Sequence, residues 1–514
     1  MSRLTYATLR FFGKYAQNLL DYVCSGRLGS GDNTGLLRAI FTGKIENTKG
    51  ARFMTEGEQR KLFPRSSQGL LIDGKNKRLS LDESYKHLLL VAQTGAGKTT
   101  KYIIPNIFEL AEHKNSIIVT DPSGEIFTNT SGYMQSKGFK VLKFDPTDLE
   151  HSVYFNPLRY VFSYKENKTK VNDVKLSLLA SSLVASCLPD SSDQFWKTGA
   201  EAFIEFFTAC LKDAPREYHN LYNVYRLIEA MTPDGKLLEE KYMRKFVADR
   251  RLTDKWDSYL GNANATMQSH LATAKTALKP LGNEHVARIL SKNTVRFKDF
   301  KESKTILYLT FPVNEAKFYT FILNLFYTQL FYEYMSELPA EEDLPLFILY
   351  DEFGNANIPE FDTIVTNIRK YKVSLSLVLQ SFSQLEKQYG KAGAKTIMEG
   401  GINSMLFYAG AGLETAHSIE QMLGKVIQDE SYMTSSNDER SSRHEFNLLN
   451  AGEIRTLPDN QAFFITGNKK PILLDVVPFF ENRRFKGKVK YEEAYIEANN
   501  FHRFELRCAL DEYE

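Results

Sequence analysis

The residues from Leu88 to Thr100 read Leu-Leu-Leu-Val-Ala-Gln-Thr-Gly-Ala-Gly-Lys-Thr-Thr. An apolar run ends in a glycine-bearing turn, and a lysine and a hydroxyl residue then open a helix. That layout cradles nucleotide phosphates. Thr94, Gly95, Ala96, Gly97, Lys98, Thr99 and Thr100 form the expected nucleotide-binding set. Lys98 is placed to reach the β- and γ-phosphates, and the Thr99 hydroxyl to hold Mg²⁺. The positive end of the helix dipole adds to the attraction. The pattern ordinarily opens on Gly, and here that place is Ala92, which a negative φ tolerates. Gly95 and Gly97 keep the conformational freedom nearest the phosphates. The expected ligands are ATP and Mg²⁺.

Hydrolysis needs a second carboxylate for the metal and a group that positions water. Leu346–Tyr350 is an apolar run that delivers Asp351 and Glu352 to the edge of a sheet, where ligands bind in open α/β folds. Asp351 is expected in the Mg²⁺ shell, and Glu352 as the group that orients or deprotonates the attacking water. The run Val373–Leu379 ends at Gln380, whose amide can donate to the γ-phosphate and register its loss. Arg369, eleven residues before Gln380, is expected to act in trans on a neighbouring subunit's site, with Lys370 as the competing cation.

Such groups need a sheet to carry them. Short apolar runs recur at Leu88–Val91, Ser116–Thr120, Val141–Phe144, Thr305–Phe311, Leu346–Tyr350, Val373–Leu379, Ser404–Ala409, Ala462–Thr466 and Ile472–Val476. Continuous apolar strands between helices predict an α/β fold with a mostly parallel sheet covered on both faces. From about 160 to 295 strand-like runs vanish and helical periodicity dominates, which predicts an inserted all-helical domain. The helix Lys98–His113 is expected to bend at Pro105. Residues 429–445 are polar and Ser-rich and read as a mobile loop. Residues 1–24 read as an amphipathic helix and 25–50 as a Gly-rich linker.

Composition narrows the classes. The chain has 514 residues, 43% hydrophobic and 25% charged, with a net charge of +2, which excludes a global polyelectrolyte. Charge is uneven: residues 1–80 hold 14 Lys/Arg and 6 Asp/Glu, a balance of +8 that suits an anionic partner. Four dispersed cysteines without a Cys-x-x-Cys fit free thiols in a reducing compartment. Arg3, Arg10, Lys14 and Asp21 do not fit a secretory leader. The apolar stretch Phe318–Tyr332 falls short of the roughly 20 residues of a membrane span and reads as a buried helix.

The ordered set of motifs resembles the type IV secretion coupling proteins, the conjugative-transfer ATPases of the TraG/TraD group. It comprises the cradle from His87 to Thr99, Ile-Ile-Val-Thr-Asp-Pro-Ser-Gly-Glu (117–125), Phe-Asp-Pro…Phe-Asn-Pro-Leu (144–158), Asp-Gln-Phe-Trp (193–196), Asp-Glu-Phe-Gly-Asn…Ile-Pro-Glu-Phe (351–361), Leu-Gln-Ser-Phe-Ser-Gln-Leu (379–385) and Leu-Leu-Asn-Ala-Gly-Glu-Ile-Arg-Thr-Leu-Pro-Asp (448–459). The family pattern often has Lys where Ser123 stands. The resemblance implies a RecA-like P-loop motor with an all-helical cargo-contacting domain, assembled as a homo-hexamer with sites between subunits. It implies delivery of relaxase-bound single-stranded DNA, or of protein effectors, to type IV secretion channel subunits. A ring ATPase of genome processing or defence is the alternative.

Family members usually carry N-terminal transmembrane helices. Their absence here implies either a truncated start or a member that is cytoplasmic or peripheral on the inner membrane, recruited by a separate anchor partner through residues 1–60. The expected division is 1–67 as N-terminal helix and basic linker, 68–159 and 296–486 as the two parts of the nucleotide-binding domain, 160–295 as the helical domain, and 487–514 as a tail. Arg251, Lys255, Lys275, Lys279 and Arg288 are the candidate DNA contacts.

Overall fold

The computed structural model describes residues 48–166, 168–188, 193–232, 234–261, 265–433, 439–503 and 505–511. The helix expected over 1–24 and most of the linker lie outside these residues. The strands in chain order are β1 (Thr48–Gly50), β2 (Leu88–Val91), β3 (Ser116–Asp121), β4 (Lys140–Phe144), β5 (Phe162–Lys165), β6 (Lys168–Val171), β7 (Thr305–Thr310), β8 (Leu346–Tyr350), β9 (Val373–Leu379), β10 (Ser404–Tyr408), β11 (Lys425–Met433), β12 (Glu439–Asn447), β13 (Gln461–Thr466) and β14 (Ile472–Asp475).

The chain forms two compact units. The larger spans 53–420 and 449–514 and holds a nine-stranded sheet in the order β14-β13-β10-β2-β9-β8-β3-β7-β4. Strands from β10 to β4 run parallel, while β13 is antiparallel to β10 and β14 to β13. These are the nine apolar runs of the sequence. β3, β7, β8 and β9 are buried along their whole length, as strands covered on both faces must be. The serines of β9 find partners: Ser374 Oγ donates to the Ser84 carbonyl at 2.7 Å, and Ser376 Oγ lies 2.8 Å from the Tyr102 hydroxyl. The second bond fixes the segment after the cradle to the strand between β2 and β8.

The helix Ala316–Met335 packs on the sheet, with Tyr327 stacked on Tyr350 at 4.7 Å. Its buried amides are satisfied in part, with Asn324 Nδ2 and Gln329 Oε1 left without partners among the described residues. Asn324 Oδ1 accepts from the Asn357 N–H at 3.1 Å, and Gln329 Nε2 donates to the Pro157 carbonyl at 3.1 Å. Among the described residues no helix is long and apolar enough to cross a membrane.

Between the two parts of the sheet lie helices that include Asp173–Cys187, Gln194–Cys210, Leu221–Ala230, Arg250–Gly261 and Ala265–Leu278. Several begin at side-chain caps: Asn172, Asp193 and Asn220 each accept from a backbone N–H two or three residues on. The stretch departs from the all-helical expectation at its start, where β5 and β6 pair as an antiparallel hairpin. The helix after the cradle also differs. A π turn over Thr99–Ile103 precedes Ile104–Leu110, so Pro105 sits at the start of the regular helix rather than within it.

Residues 487–511 pack rather than trail. The Ala494 N–H donates to Ser131 Oγ at 3.1 Å, the Ala509 N–H to Asn223 Oδ1 at 2.8 Å, and Cys508 and Ala509 are buried. Cys187, Cys210 and Cys508 are free thiols. The smaller unit has described residues 48–52, 421–433 and 439–448 and holds the antiparallel sheet β1-β11-β12. The polar run 429–445, expected as a loop, thus supplies much of two paired strands, with Asp429 opposite Arg443. Backbone ladder pairing, which polar residues can join, forms strands where the polar, Ser-rich composition read as a loop.

Candidate functional site

The carboxyl ends of β2, β9 and β8 lie side by side at one edge of the sheet. Val91 pairs with Leu379, and Tyr350 with Leu377. The ladder continues one step beyond β2, because the Ala92 N–H donates to the Leu379 carbonyl at 3.0 Å. Ala92, just past the end of β2, is therefore buried and held by the ladder, and it is not among the residues of positive φ. A methyl is acceptable there for that reason.

The cradle turns immediately afterwards. Gly95 has φ +84° and Gly97 φ +86°, the left-handed region that favours glycine. Residues 93–95 are exposed and 96–100 half-buried, so the turn opens to solvent. Lys98 begins the helical segment, and the Lys101 N–H donates to the Gly97 carbonyl at 2.8 Å.

Sequence reasoning missed Lys101. Its Nζ donates to the Ala96 carbonyl at 2.7 Å and to the Asp459 carbonyl at 2.9 Å. It thereby occupies a cradle carbonyl and ties the turn to the end of the 448–459 motif. Burial lowers the Lys101 pKa, while Asp459 and Glu481 oppose the shift. A lysine three places beyond Lys98 reads as an ordinary helix-surface cation, and only the approach of residue 459 reveals the clamp.

Asp351 follows β8 at the same edge. Burial pushes its carboxyl up to about 6, the nearby Lys98 charge opposes the rise, and Glu352 and Asp121 reinforce it. Lys98 and Asp351 thus lie within electrostatic reach, although 253 positions separate them in the chain. The only hydrogen bond to Asp351 among the described residues comes from the Glu352 N–H, at 3.0 Å on Oδ1. Glu352 sits at φ +57°, an uncommon conformation for a residue with a side chain and one found at strained functional turns.

The loop after β8 is stitched to the segment after β9. The Gln380 N–H donates to Gln384 Oε1 at 2.8 Å, and Gln388 Nε2 donates to the Gly354 carbonyl at 3.1 Å. A Cβ on Gly354 would fall 2.5 Å from the Gln384 side chain, which accounts for glycine in Asp-Glu-Phe-Gly-Asn. Gln380 is exposed at the tip of β9, beside both the cradle strand and the Asp351 strand.

Arg369 stands apart. It lies in the turn Ile368–Tyr371 before β9, exposed, and its charge is felt by His87 at the start of β2. With about 3.3 Å per strand residue, β9 holds it roughly 20 Å from the carboxyl edge of its own chain. Lys370 is exposed in the same turn.

The 117–125 motif has a different task. Asp121, fully buried at the end of β3, accepts at Oδ2 from the Phe127 N–H at 2.8 Å and at Oδ1 from Ser123 Oγ at 3.4 Å. It closes the start of the helix Glu125–Ser136. Its carboxyl is also pushed up to about 6 by burial, against these hydrogen bonds.

Most of the candidate DNA contacts have partners within the chain. Arg251 pairs with Asp249 at 2.9 Å, Lys255 Nζ lies over the Phe206 and Tyr259 rings, Lys275 Nζ donates to the Glu229 carbonyl, and Arg288 pairs with Glu284 at 2.7 Å. Lys279 opens a 3₁₀ turn after the helix Ala265–Leu278.

Among the described residues no three His, Cys, Asp or Glu side chains cluster as a metal site. Thr99 and Asp351 nonetheless suit Mg²⁺, which takes hard oxygen ligands and usually needs only one or two from protein beside phosphate and water. The free oxygen of Asp351, in a setting that disfavours its negative charge, is the kind of group a cation would relieve.

Residues 47–500 match the family model described as "Type IV secretory system Conjugative DNA transfer". VirD4 of Rhizobium radiobacter is 24% identical over 415 residues, covering 78% of this chain and 58% of VirD4. The type IV secretion system-coupling protein VirD4 of Bartonella henselae is 24% identical over 360 residues, covering 68% and 54%. The chain thus spans somewhat over half the length of these curated relatives. In fold it is similar to the bacterial conjugative coupling protein TrwBdeltaN70 in its unbound form, with a TM-score of 0.65 at 15% identity, covering 85% of this chain and 95% of that one. TrwB in complex with ADP and Mg²⁺ has a TM-score of 0.62 at 16% identity, covering 86% and 98%. The expected RecA-like α/β architecture is the shared fold.

Proposed function

Because the chain belongs to the type IV secretory system conjugative DNA transfer family, we propose that it is an ATP-hydrolysing coupling protein that delivers relaxase-bound single-stranded DNA to a secretion channel. The observation that carries this reading is the meeting of the cradle and the Asp351-Glu352 pair at one sheet edge, with β9 and Gln380 between them.

The backbone N–H groups of 94–100 and the Lys98 ammonium bind the triphosphate of ATP. Thr99 and Asp351 hold Mg²⁺, which supplies charge neutralisation across the β- and γ-phosphates. Glu352 orients the attacking water and takes its proton. Gln380 donates to the γ-phosphate and loses that bond when phosphate leaves. The openness of the cradle supports a site completed by a neighbour in a homo-hexamer, with Arg369 of one subunit reaching the next. Its distance from its own cradle favours action in trans. The helices between β6 and β7 are the cargo-contacting part. Residues 1–60 meet a separate membrane partner that holds the motor at the cytoplasmic face of the inner membrane.

The test is ATP turnover with and without single-stranded DNA, alongside a mass measurement with nucleotide. Stimulation by DNA and a six-fold mass are expected. Turnover indifferent to DNA, with binding to a secreted protein, would replace DNA by protein cargo. Nucleotide-dependent assembly without turnover would reduce the chain to a docking adaptor.

A further inference from the structure

The β5–β6 hairpin presents an unusual face. Lys165 pairs with Lys168 and Ser163 with Lys170, so strand alternation puts all four on one side, and all four are exposed. Like charges directly opposite each other destabilise a hairpin. No carboxylate pairs with any of the three lysines among the described residues. The opposite side is anchored through Tyr164, whose ring stacks on His219 at 5.8 Å and carries the Arg159 and Arg216 guanidinium groups at 5.0 and 4.6 Å. Tyr164 thus anchors one side of β5, while among the described residues the lysine face has no ion-pair partner.

A cleft of about 340 Å³ adjoins it, lined by Arg159, Ser163, Lys175, Arg296 and Lys298, with Tyr160 stacked on Phe297 at 4.7 Å in its wall. Glu333 is the one carboxylate of that lining, and Lys175 occupies it at 3.0 Å. Arg296 pairs with Asp299 at 2.6 Å and Lys298 with Glu302 at 2.8 Å, yet they keep 71% and 75% of their side chains exposed at the mouth of the cleft, so the unpaired charge is that of the hairpin lysines.

We propose that this hairpin face and its cleft grip the phosphate backbone of a single nucleic-acid strand, a site that rests on the DNA-coupling reading above. Lysines two residues apart on one strand stand about 7 Å apart, a ladder of point charges suited to a regularly repeating polyanion. A membrane surface fits poorly, because the outer face of the hairpin carries no apolar side chain and the cleft is concave. An acidic polypeptide lacks the regular charge repeat.

The experiment measures binding of a fluorescent oligo-dT strand to the full chain by anisotropy across a salt titration. It compares the parent, the triple variant Lys165→Ala, Lys168→Ala, Lys170→Ala, and the corresponding triple Arg variant. Each phosphate contact to a single strand contributes about 0.7 to the salt slope, so the Ala variant is expected to bind on the order of 10-fold more weakly with a slope shallower by about 2. The Arg variant is expected to match the parent, which separates charge from misfolding. A parent that binds alongside an Ala variant of unchanged affinity and slope overturns this site and leaves the coupling reading intact. A parent that does not bind the strand overturns both. Polyglutamate bound as tightly as oligo-dT, and lost in the Ala variant, reassigns the face to an acidic polypeptide.

Discussion

Asp121 and Asp351 close neighbouring strands of one sheet, and burial raises both carboxyl groups to about 6. They differ in what surrounds their oxygens. Asp121 has both oxygens committed to Ser123 and to the start of the helix Glu125–Ser136. Asp351 has one bond, from the next residue, and faces Lys98 and Glu352. Burial displaces both groups in the same direction, yet one carboxylate is committed to hydrogen bonds within the fold and the other keeps an oxygen without a partner among the described residues. A displaced pKa alone does not distinguish them, but the count of satisfied oxygens does.

The largest effect that sharpens this contrast is on turnover. Glu352→Gln should lower ATP hydrolysis by about 10²–10⁴-fold while nucleotide binding is kept, as removal of a general base does. Normal turnover in that variant would remove Glu352 from its role. Asp351→Asn should fall to a similar level through weaker metal binding, whereas Asp121→Asn should stay within a few-fold of the parent per folded molecule.

A smaller effect concerns the cradle's support. Lys101→Met removes two hydrogen bonds from a charged donor to backbone carbonyls. About 1.5 kcal/mol for one such bond corresponds to roughly 10-fold weaker nucleotide binding, measured by calorimetry. Unchanged affinity would make the clamp merely structural.

The smallest effect is on stability, and it has opposite signs at the two sites. The ordinary Asp value is 3.8, and Asp351 sits at about 6 in the folded chain. The unfolded chain therefore ionises first as pH rises. The carboxyl costs nothing below about pH 4, and its cost grows until the pH passes about 6. Asp351→Asn should raise the melting temperature of the nucleotide-free protein by a few degrees near pH 7, with the gain vanishing near pH 4. Asp121→Asn removes the same burial cost but also an acceptor at the helix start, because an amide cannot accept at both positions, and the net expected effect near pH 7 is a lower melting temperature. Scanning calorimetry at the two pH values reads both signs. A stabilising Asp121→Asn would erase the distinction.

Much of this was legible in the chain. All nine sheet strands announce themselves as short, mostly apolar runs, the central ones because parallel strands covered on both faces are buried, and Asp351 and Gln380 follow two of them directly. What escaped depends on distant partners. The β5–β6 hairpin is lysine-rich and held by Tyr164 against His219, 55 positions away. Lys101 acquires its task only from Asp459, and residues 494 and 509 are pinned by Ser131 and Asn223.

The most direct measurement is Mn²⁺ binding in the presence of ATP, followed by electron paramagnetic resonance in the parent, Asp351→Asn and Asp121→Asn. The parent and Asp121→Asn should bind the ion with equal affinity, and Asp351→Asn about 10-fold or more weakly, in line with the loss of one metal-supporting carboxylate. Weakened binding in Asp121→Asn with none in Asp351→Asn would contradict a nucleotide site built from the cradle and the end of β8.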